Sequence, residues 1–133
     1  MAQNKNSSYI DFKEKARSFL LHNDYEASLA LYKQCEAITL LENSDPIPLR
    51  EKAIILLNIS ICYMNLKNFE EAEKYIEKSI ECDRSYVKAY YRKAVYLKNK
   101  EKFIEALEIC QEALKIEKVQ EILLLGVRIF PND

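Results

Sequence analysis

The amino-acid sequence predicts an all-α protein built from three repeated pairs of helices. The 133 residues include one glycine and three prolines, so the residues that tight hairpin turns and barrel corners need are scarce. Small and bulky side chains also recur at fixed offsets in three segments, the pattern of stacked helical hairpins. A chain of this length with 49% hydrophobic residues is sufficient for one domain.

The repeat register begins with three small residues, Ala16, Ser60 and Ala94. The number of residues from Ser60 to Ala94 defines the repeat interval. The distance from Ala16 to Ser60 is longer, because extra residues are inserted between the first two repeats. Small residues allow helices to approach closely, and the aromatic column is predicted to wedge the next hairpin in place. The other columns are Tyr25, Phe69 and Phe103; Ser28, Ala72 and Ala106; Tyr32, Ile76 and Cys110; and Cys35, Ser79 and Ala113.

Polar residues predict where the second helices of the hairpins begin. Asn23 with Glu26, and Asn68 with Glu71, have the Asn-x-x-Glu spacing that resembles a capping box. These positions lie just ahead of the second helices of the first two repeats, and they agree with the register.

The first helices of the later repeats have weaker start signals. Asp45 before Pro46 predicts that the second repeat opens from about residue 47, and Ser85 is a candidate cap for the third. The predicted division is a flexible N-terminus at 1–8 and a repeat domain at 9–130, with repeats at about 9–43, 47–84 and 86–117. A capping helix is predicted at about 119–130 and ends before Pro131. Its apolar residues, which are predicted to cover the open end of the array, are Ile122, Leu123, Leu125 and Ile129.

Composition excludes several function classes. The 20 basic and 21 acidic residues give no overall field for nucleic acid or a membrane surface, so charge recognition must be local. The apolar stretch 53–66 is interrupted by polar residues and is shorter than the roughly 20 residues that span a bilayer. The N-terminus has no signal-peptide core, which predicts a protein that is not exported.

No catalytic or metal-binding pattern is present in the sequence. The four cysteines contain no CxxC pair and are accompanied by one histidine, so we interpret them as buried thiols in a reducing cytoplasm. No paired titratable groups or activated nucleophile lie in register, so the sequence predicts neither an enzyme nor a cofactor or metal site.

Two pairs of cations mark a candidate anion-binding surface. Lys13 and Arg17, and likewise Lys88 and Arg92, are separated by one helical turn, so each pair projects from one face of a helix. Like charges at this spacing repel unless an anion lies between them. Asn58 and Arg92 are separated by one repeat interval and therefore face the same groove. Ordinary solvated charges remain the alternative.

The register resembles the tetratricopeptide repeat domains of cochaperones, including immunophilin-type ones, over about residues 9–130. The resemblance is carried by Leu57-Asn58-Ile59-Ser60-Ile61-Cys62-Tyr63, by Lys88-Ala89-Tyr90-Tyr91-Arg92-Lys93-Ala94 and by the longer connection between the first two repeats. It implies a right-handed α-solenoid in which the first helices of the repeats line a concave groove. In the family, such a groove holds the terminal carboxylate and last aspartate of a Glu-Glu-Val-Asp tail.

The resemblance also assigns the residues of this dicarboxylate clamp. Lys13 lies in Lys-Glu-Lys-Ala-Arg, which is similar to the family's Lys-Glu-Lys-Gly-Asn, and Asn58, Lys88 and Arg92 match the other family positions. Arg17 replaces the family's asparagine. Arginine is longer and always charged, so Arg17 either strengthens acid binding or obstructs the usual pose.

Secondary contacts are predicted beside the clamp. Asn65 and Asn99 are also separated by one repeat interval and lie two turns further along the same helices, where they are candidates to bind peptide backbone. Tyr91, with Ile61 and Val95, is a candidate apolar subsite, although such side chains more often serve packing.

The predicted function is therefore a monomeric, cytoplasmic cochaperone or adaptor. Its implied partner is the C-terminal tail of a heat-shock chaperone of the ninety- or seventy-kilodalton class. The alternative is an assembly scaffold that binds a partner helix, or another copy of itself, through apolar surface. Binding to RNA by repeats is disfavoured because a base code needs many repeats and a basic surface.

Overall fold

The computed structural model shows a row of three helical hairpins. It describes residues 5–41, 46–117, 122 and 124–126. The helices are α1 (Lys5–Leu21), α2 (Tyr25–Thr39), α3 (Leu49–Asn65), α4 (Phe69–Cys82), α5 (Val87–Asn99) and α6 (Phe103–Ile116).

The helices pack in chain order. The most extensive contacts lie within the pairs α1–α2, α3–α4 and α5–α6, and the contacts α2–α3 and α4–α5 join one hairpin to the next. Each hairpin therefore stacks on its sequence neighbour, as in a solenoid. The predicted all-α fold of three helical hairpins is confirmed.

The columns of small and bulky residues form the buried interior. Every member of the Ala16, Ser28, Tyr32 and Cys35 columns is at most 3% exposed. Two serines in these columns bond across their hairpins, since Ser28 Oγ donates to the Ala16 carbonyl at 2.8 Å and Ser79 Oγ to the Ala53 carbonyl at 2.7 Å. A buried hydroxyl needs such a partner.

The aromatic column is less buried than the register predicted. Phe69 and Phe103 are 49% and 40% exposed, so they do not act as full wedges between hairpins. Each is the first residue of its helix, and a side chain at the turn of a hairpin is covered on one side only.

Two hydrophobic cores meet at α3. Ile55 and Ile59 belong to a core shared with the first hairpin, while Ala53 and Leu57 belong to a core shared with α5 and α6. Because α3 is buried on both sides, its sequence has a long apolar run with few charges. This helix couples the first repeat to the third.

The predicted cap at Asn68 is confirmed, whereas the one at Asn23 is wrong. Asn68 Oδ1 accepts the Glu71 N–H at 3.4 Å. Asn23 instead has a φ of 61°, and the N-cap of α2 is Asp24, whose Oδ1 accepts the Ala27 N–H at 3.3 Å. Lys67 and Glu101, at the matching positions of the other hairpins, also have positive φ.

The other predicted helix starts also need correction. Asp45 lies outside the described residues, and α3 begins at Leu49 after Pro48 rather than at about residue 47. Ser85 does not cap α5, because its hydroxyl donates to Asp83 Oδ1 and α5 begins after Tyr86. The first helix already begins at Lys5, so residues 5–8 are helical where a flexible N-terminus was predicted. Apolar periodicity starts only at Tyr9 and gave no sign of this first turn.

The predicted capping helix lies largely outside the described residues. Of 119–130, the structure describes helical backbone at 122 and 124–126. Ile122 and Leu125 are 1% and 3% exposed and belong to the core under α5 and α6, as predicted. The side chains of Leu123 and Ile129 lie outside the described part of the chain.

The four cysteines are free thiols. Cys35, Cys62 and Cys110 are buried, and burial raises the pKa of the Cys35 thiol to about 11. Cys82 is partly exposed, so the prediction of four buried thiols is wrong for this residue. It lies at the end of α4, where its Sγ contacts the Leu49 carbonyl.

Candidate functional site

A groove of about 750 Å³ lies between α3 and α5. One face of α3, from Arg50 to Ile61, and the N-terminal part of α5 form its walls, and Glu117, which follows α6, borders it together with Ile122. Its polar and charged lining consists of Arg50, Asn58, Lys88, Arg92, Tyr86, Tyr91 and Glu117, and its apolar lining of Ile54, Leu57, Ile61, Val87 and Ile122.

Lys88 and Arg92 are the two groove cations that have no ion-pair partner in the described structure, and Glu117 adds one carboxylate to the lining. Both are exposed and lie one turn apart on α5, and neither has an ion-pair partner among the described residues. Helix α5 carries four basic and no acidic residues, and of its cations Lys93 is paired, with its Nζ 2.8 Å from Glu77 Oε1. The predicted pair therefore faces the groove with its charge available to an anion.

Asn58 lies on the facing wall and is held by a buried tyrosine. Its Nδ2 donates to the Tyr32 hydroxyl at 3.1 Å, and Tyr32 is 1% exposed. Burial raises the pKa of Tyr32 to about 12, so the hydroxyl stays neutral at physiological pH. This bond leaves the Asn58 Oδ1 and one N–H free for a ligand.

The predicted secondary contacts lie around the clamp residues. Tyr91 lines the main groove, while Asn65 and Asn99 line a smaller adjoining depression of about 70 Å³. Arg92 and Ile61 border both spaces. Asn65 Nδ2 donates to the Ile61 carbonyl of its own helix at 2.8 Å, so part of its bonding capacity is already used.

Lys13 and Arg17 are placed differently from the other predicted site residues. Neither is part of the lining of the groove in the described structure. Lys13 Nζ lies 3.4 Å from Glu51 Oε1 on α3, and Arg17 is exposed on α1, near enough to Tyr32 to favour its ionised form. The groove thus brings together Asn58, Lys88 and Arg92, whereas Lys13 and Arg17 lie on α1 outside its described lining.

Arg50 is a groove residue that the sequence argument missed. Its Nε donates to Asp83 Oδ2 at 2.7 Å, its Nη2 donates to the Ser85 hydroxyl at 3.1 Å, and its guanidinium lies 5.1 Å from the Tyr86 ring centroid. A signal existed, because Arg50 precedes Arg84 by one repeat interval. These contacts fix Arg50 at one end of the groove.

The Asp83 carboxylate is expected to make stability depend on acid pH. Hydrogen bonds from Ser85 and Arg50 lower the pKa of Asp83 from 3.8 to about 2. A lowered folded-state pKa stabilises the protein above the unfolded-state pKa, and this contribution is lost as pH falls through the folded-state value. In urea unfolding, the stability advantage of wild type over Asp83→Asn should be full at about pH 5 and shrink from about pH 4 towards pH 2. A pH-independent difference would contradict this assignment.

A separate cavity has a different electrostatic character. It measures about 440 Å³ and lies among the ends of α2 and α4 and the start of α3. Lys52 and Lys78 in its lining are accompanied by Glu36 and Glu81. Its two cations are balanced by two carboxylates, whereas the groove has Arg50, Lys88 and Arg92 against Glu117 alone in its described lining, so the groove is the better candidate for binding an anion.

The chain belongs to the tetratricopeptide repeat family. The family model matches residues 53–86 and 87–120, just over half of the sequence. The first match covers α4 and α3 from Ala53 onward, the second covers the third hairpin, and both have the period of the register. Proteins of this class are protein-interaction modules.

Proteins of known structure or curated description are similar over most of the chain. Protein unc-45 homolog B of Xenopus laevis is 26% identical over 108 residues, 81% of this chain. The second TPR domain of human RPAP3, solved with the HSP70 peptide SGPTIEEVD, has a TM-score of 0.75 and 22% identity, covering 95% of this chain and 98% of that domain. The first TPR domain of Spaghetti (RPAP3), solved with the HSP90 peptide SRMEEVD, has a TM-score of 0.76 and 22% identity, covering 92% and 93%.

These likenesses show the fold of the chain. The chain spans about a tenth of the length of the curated relatives it matches, 11% in the case of protein unc-45 homolog B. None of the helices in the described part of the chain has the length and apolar character that crossing a membrane requires.

Proposed function

We propose that this domain is a cochaperone-type adaptor that binds the acidic C-terminal tail of a heat-shock chaperone of the ninety- or seventy-kilodalton class. The observation that carries the proposal is the convergence of Asn58, Lys88 and Arg92 on one groove, with both cations unpaired among the described residues. A tail of the Glu-Glu-Val-Asp type ends in two carboxylates, its terminus and its last side chain, which match two cations and an amide.

The comparisons support the proposal. Two domains with the same fold were solved with peptides ending in Glu-Glu-Val-Asp, one from HSP70 and one from HSP90. The charge distribution also supports it, because α5 carries only basic charges while the outer helix α6 carries three glutamates and one lysine. An anionic tail is therefore attracted to the groove side of the third repeat.

The proposed roles divide the site among several helices. Lys13, Asn58, Lys88 and Arg92 bind the carboxylates, and Arg17 takes the place of an amide donor. Asn65, Asn99 and Tyr91 contact the residues that precede the final aspartate. The proposal includes the division of the chain into three repeats, a monomeric and cytoplasmic protein, and an interaction module without catalytic activity or cofactor.

Tail binding is expected to be of roughly micromolar affinity. Each charge-assisted hydrogen bond contributes about 1.5 to 3 kcal/mol, and ordering a flexible tail offsets part of this gain. Titration calorimetry with a Glu-Glu-Val-Asp peptide should show binding that weakens with added salt. The same peptide with an amidated C-terminus should bind much more weakly, because it lacks the terminal carboxylate.

The amidated peptide separates the proposed function from its alternative. If the domain bound both peptides equally, or neither, a carboxylate clamp would be ruled out. That result would favour an assembly scaffold that binds a partner helix or a second copy through apolar surface.

A further inference from the structure

The first-repeat lysine is held by an acidic residue of the second repeat. Lys13 Nζ on α1 lies 3.4 Å from Glu51 Oε1 on α3, and the two side chains are 33% and 42% exposed. An ion pair this exposed is weak and exchanges readily with other partners. Lys13 therefore pairs with Glu51 but can exchange this partner for another carboxylate.

Lys13 differs in this respect from Lys88 and Arg92. Those two line the groove and have no ion-pair partner in the described part of the chain, whereas Lys13 is not part of the lining. An arriving carboxylate would meet two available cations on α5 and one on α1 that already has a counter-ion. The first-repeat side of the site is thus weakened by a contact within the protein itself.

A candidate donor for the released Glu51 carboxylate lies near the ion pair. The Tyr9 hydroxyl is buried and has no hydrogen-bond partner among the residues that the structure describes, and Lys13 Nζ lies 5.5 Å from the centroid of its ring. Burial, and next the negative charge of Glu51, raise the pKa of Tyr9, so its hydroxyl stays protonated. Buried hydroxyls without a partner are uncommon in folded proteins. A hydrogen bond from Tyr9 to Glu51 would offset the loss of Lys13.

We propose that Glu51 competes with the carboxylate of a bound tail for Lys13, so that Glu51 determines the affinity of the site. This inference rests on the proposed function. On binding, Lys13 turns from Glu51 to the ligand carboxylate, and the Tyr9 hydroxyl donates to Glu51 in its place. Because the Lys13–Glu51 ion pair must break, the net binding free energy is less favourable than it would be without Glu51.

Removing the competitor is expected to tighten binding. Glu51→Gln keeps the size of the side chain and abolishes its charge, which frees Lys13. We expect the Kd for a Glu-Glu-Val-Asp peptide, measured by calorimetry at fixed ionic strength, to fall about two- to fivefold, the range set by exposed ion pairs.

Two further variants separate competition for Lys13 from a general change in net charge. Glu77→Gln also removes one negative charge and an inter-helix ion pair, with Lys93 at 2.8 Å, but Lys93 is not one of the proposed carboxylate-binding residues. We expect this variant to bind like wild type. In a Lys13→Ala background, Glu51→Gln should no longer tighten binding, because there is no lysine to release.

The outcomes distinguish failure of this inference from failure of the proposed function. If wild type binds the acid and amidated peptides alike, the proposed function is wrong and Glu51 has no tail to compete with. If wild type prefers the acid but Glu51→Gln binds no tighter than Glu77→Gln, Glu51 is not a competitor. Persistence of the tightening in the Lys13→Ala background would also overturn the inference.

Discussion

Replacing Lys88 or Arg92 with alanine is expected to weaken binding of a Glu-Glu-Val-Asp peptide at least tenfold without unfolding the domain. Tenfold corresponds to about 1.4 kcal/mol, the lower end of what one charge-assisted hydrogen bond contributes. Both side chains are exposed on α5, and alanine favours helix, so the thermal unfolding midpoint should hardly change. Calorimetry and circular dichroism measure the two quantities on the same samples.

Lys98→Ala provides the matched control for this experiment. Lys98 lies in the last turn of the same helix and does not line the groove, and its loss changes the net charge by the same amount. We expect binding within about twofold of wild type, since surface charges at a distance are screened. A loss as large as that of Lys88→Ala would mean that the groove attracts the tail only by its overall field.

A second large effect is expected in the core, where Ile59→Ala should destabilise the domain by about 2 to 5 kcal/mol. Ile59 is fully buried in α3, in the core shared with the first hairpin. Truncation leaves a cavity that neighbouring side chains from two repeats would have to fill together. Denaturant unfolding should show a lower midpoint, and a loss of this size is a large fraction of the stability of a small domain.

The same substitution at an exposed position tests whether burial is the cause. Ile104 is 66% exposed in the first turn of α6. Ile104→Ala should change the free energy of unfolding by no more than about 0.5 kcal/mol. Similar losses at both positions would show that helix propensity, rather than packing in the shared core, sets the stability.

The sequence predicted the interior better than the helix ends. The positions of small residues depend only on which faces of the helices are in contact, and in the sequence they recur at the two intervals of the register. Asp24 precedes Asn68 by the interval that separates Ala16 from Ser60, and it is the actual N-cap, so the register itself identified the cap that the Asn23 assignment missed. Ser85 was wrongly predicted as a cap because its hydroxyl donates a hydrogen bond to Asp83, two residues earlier.

Matching one repeat to another predicted part of the candidate site. Asn58 and Arg92 share a repeat position, and the structure places them in one groove. The contact of Lys13 with Glu51 joins the first two repeats, whose longer connection has no internal copy in the sequence, whereas Arg50 is held by Asp83, which follows α4 of the same hairpin. The distance between side chains on neighbouring helices determines which acidic residue pairs with which cation. A sequence pattern does not contain that distance.

The three hairpin turns place Asn23, Lys67 and Glu101 at positive φ. Lysine and glutamate have no intrinsic preference for this conformation, which costs roughly 1 to 2 kcal/mol per residue. The turn geometry is therefore imposed by the packed helices on either side of it, and the connecting residues adapt. In this repeat array the packed interior determines the conformation of the connections. A residue that favours positive φ at these turns would therefore make the fold more stable.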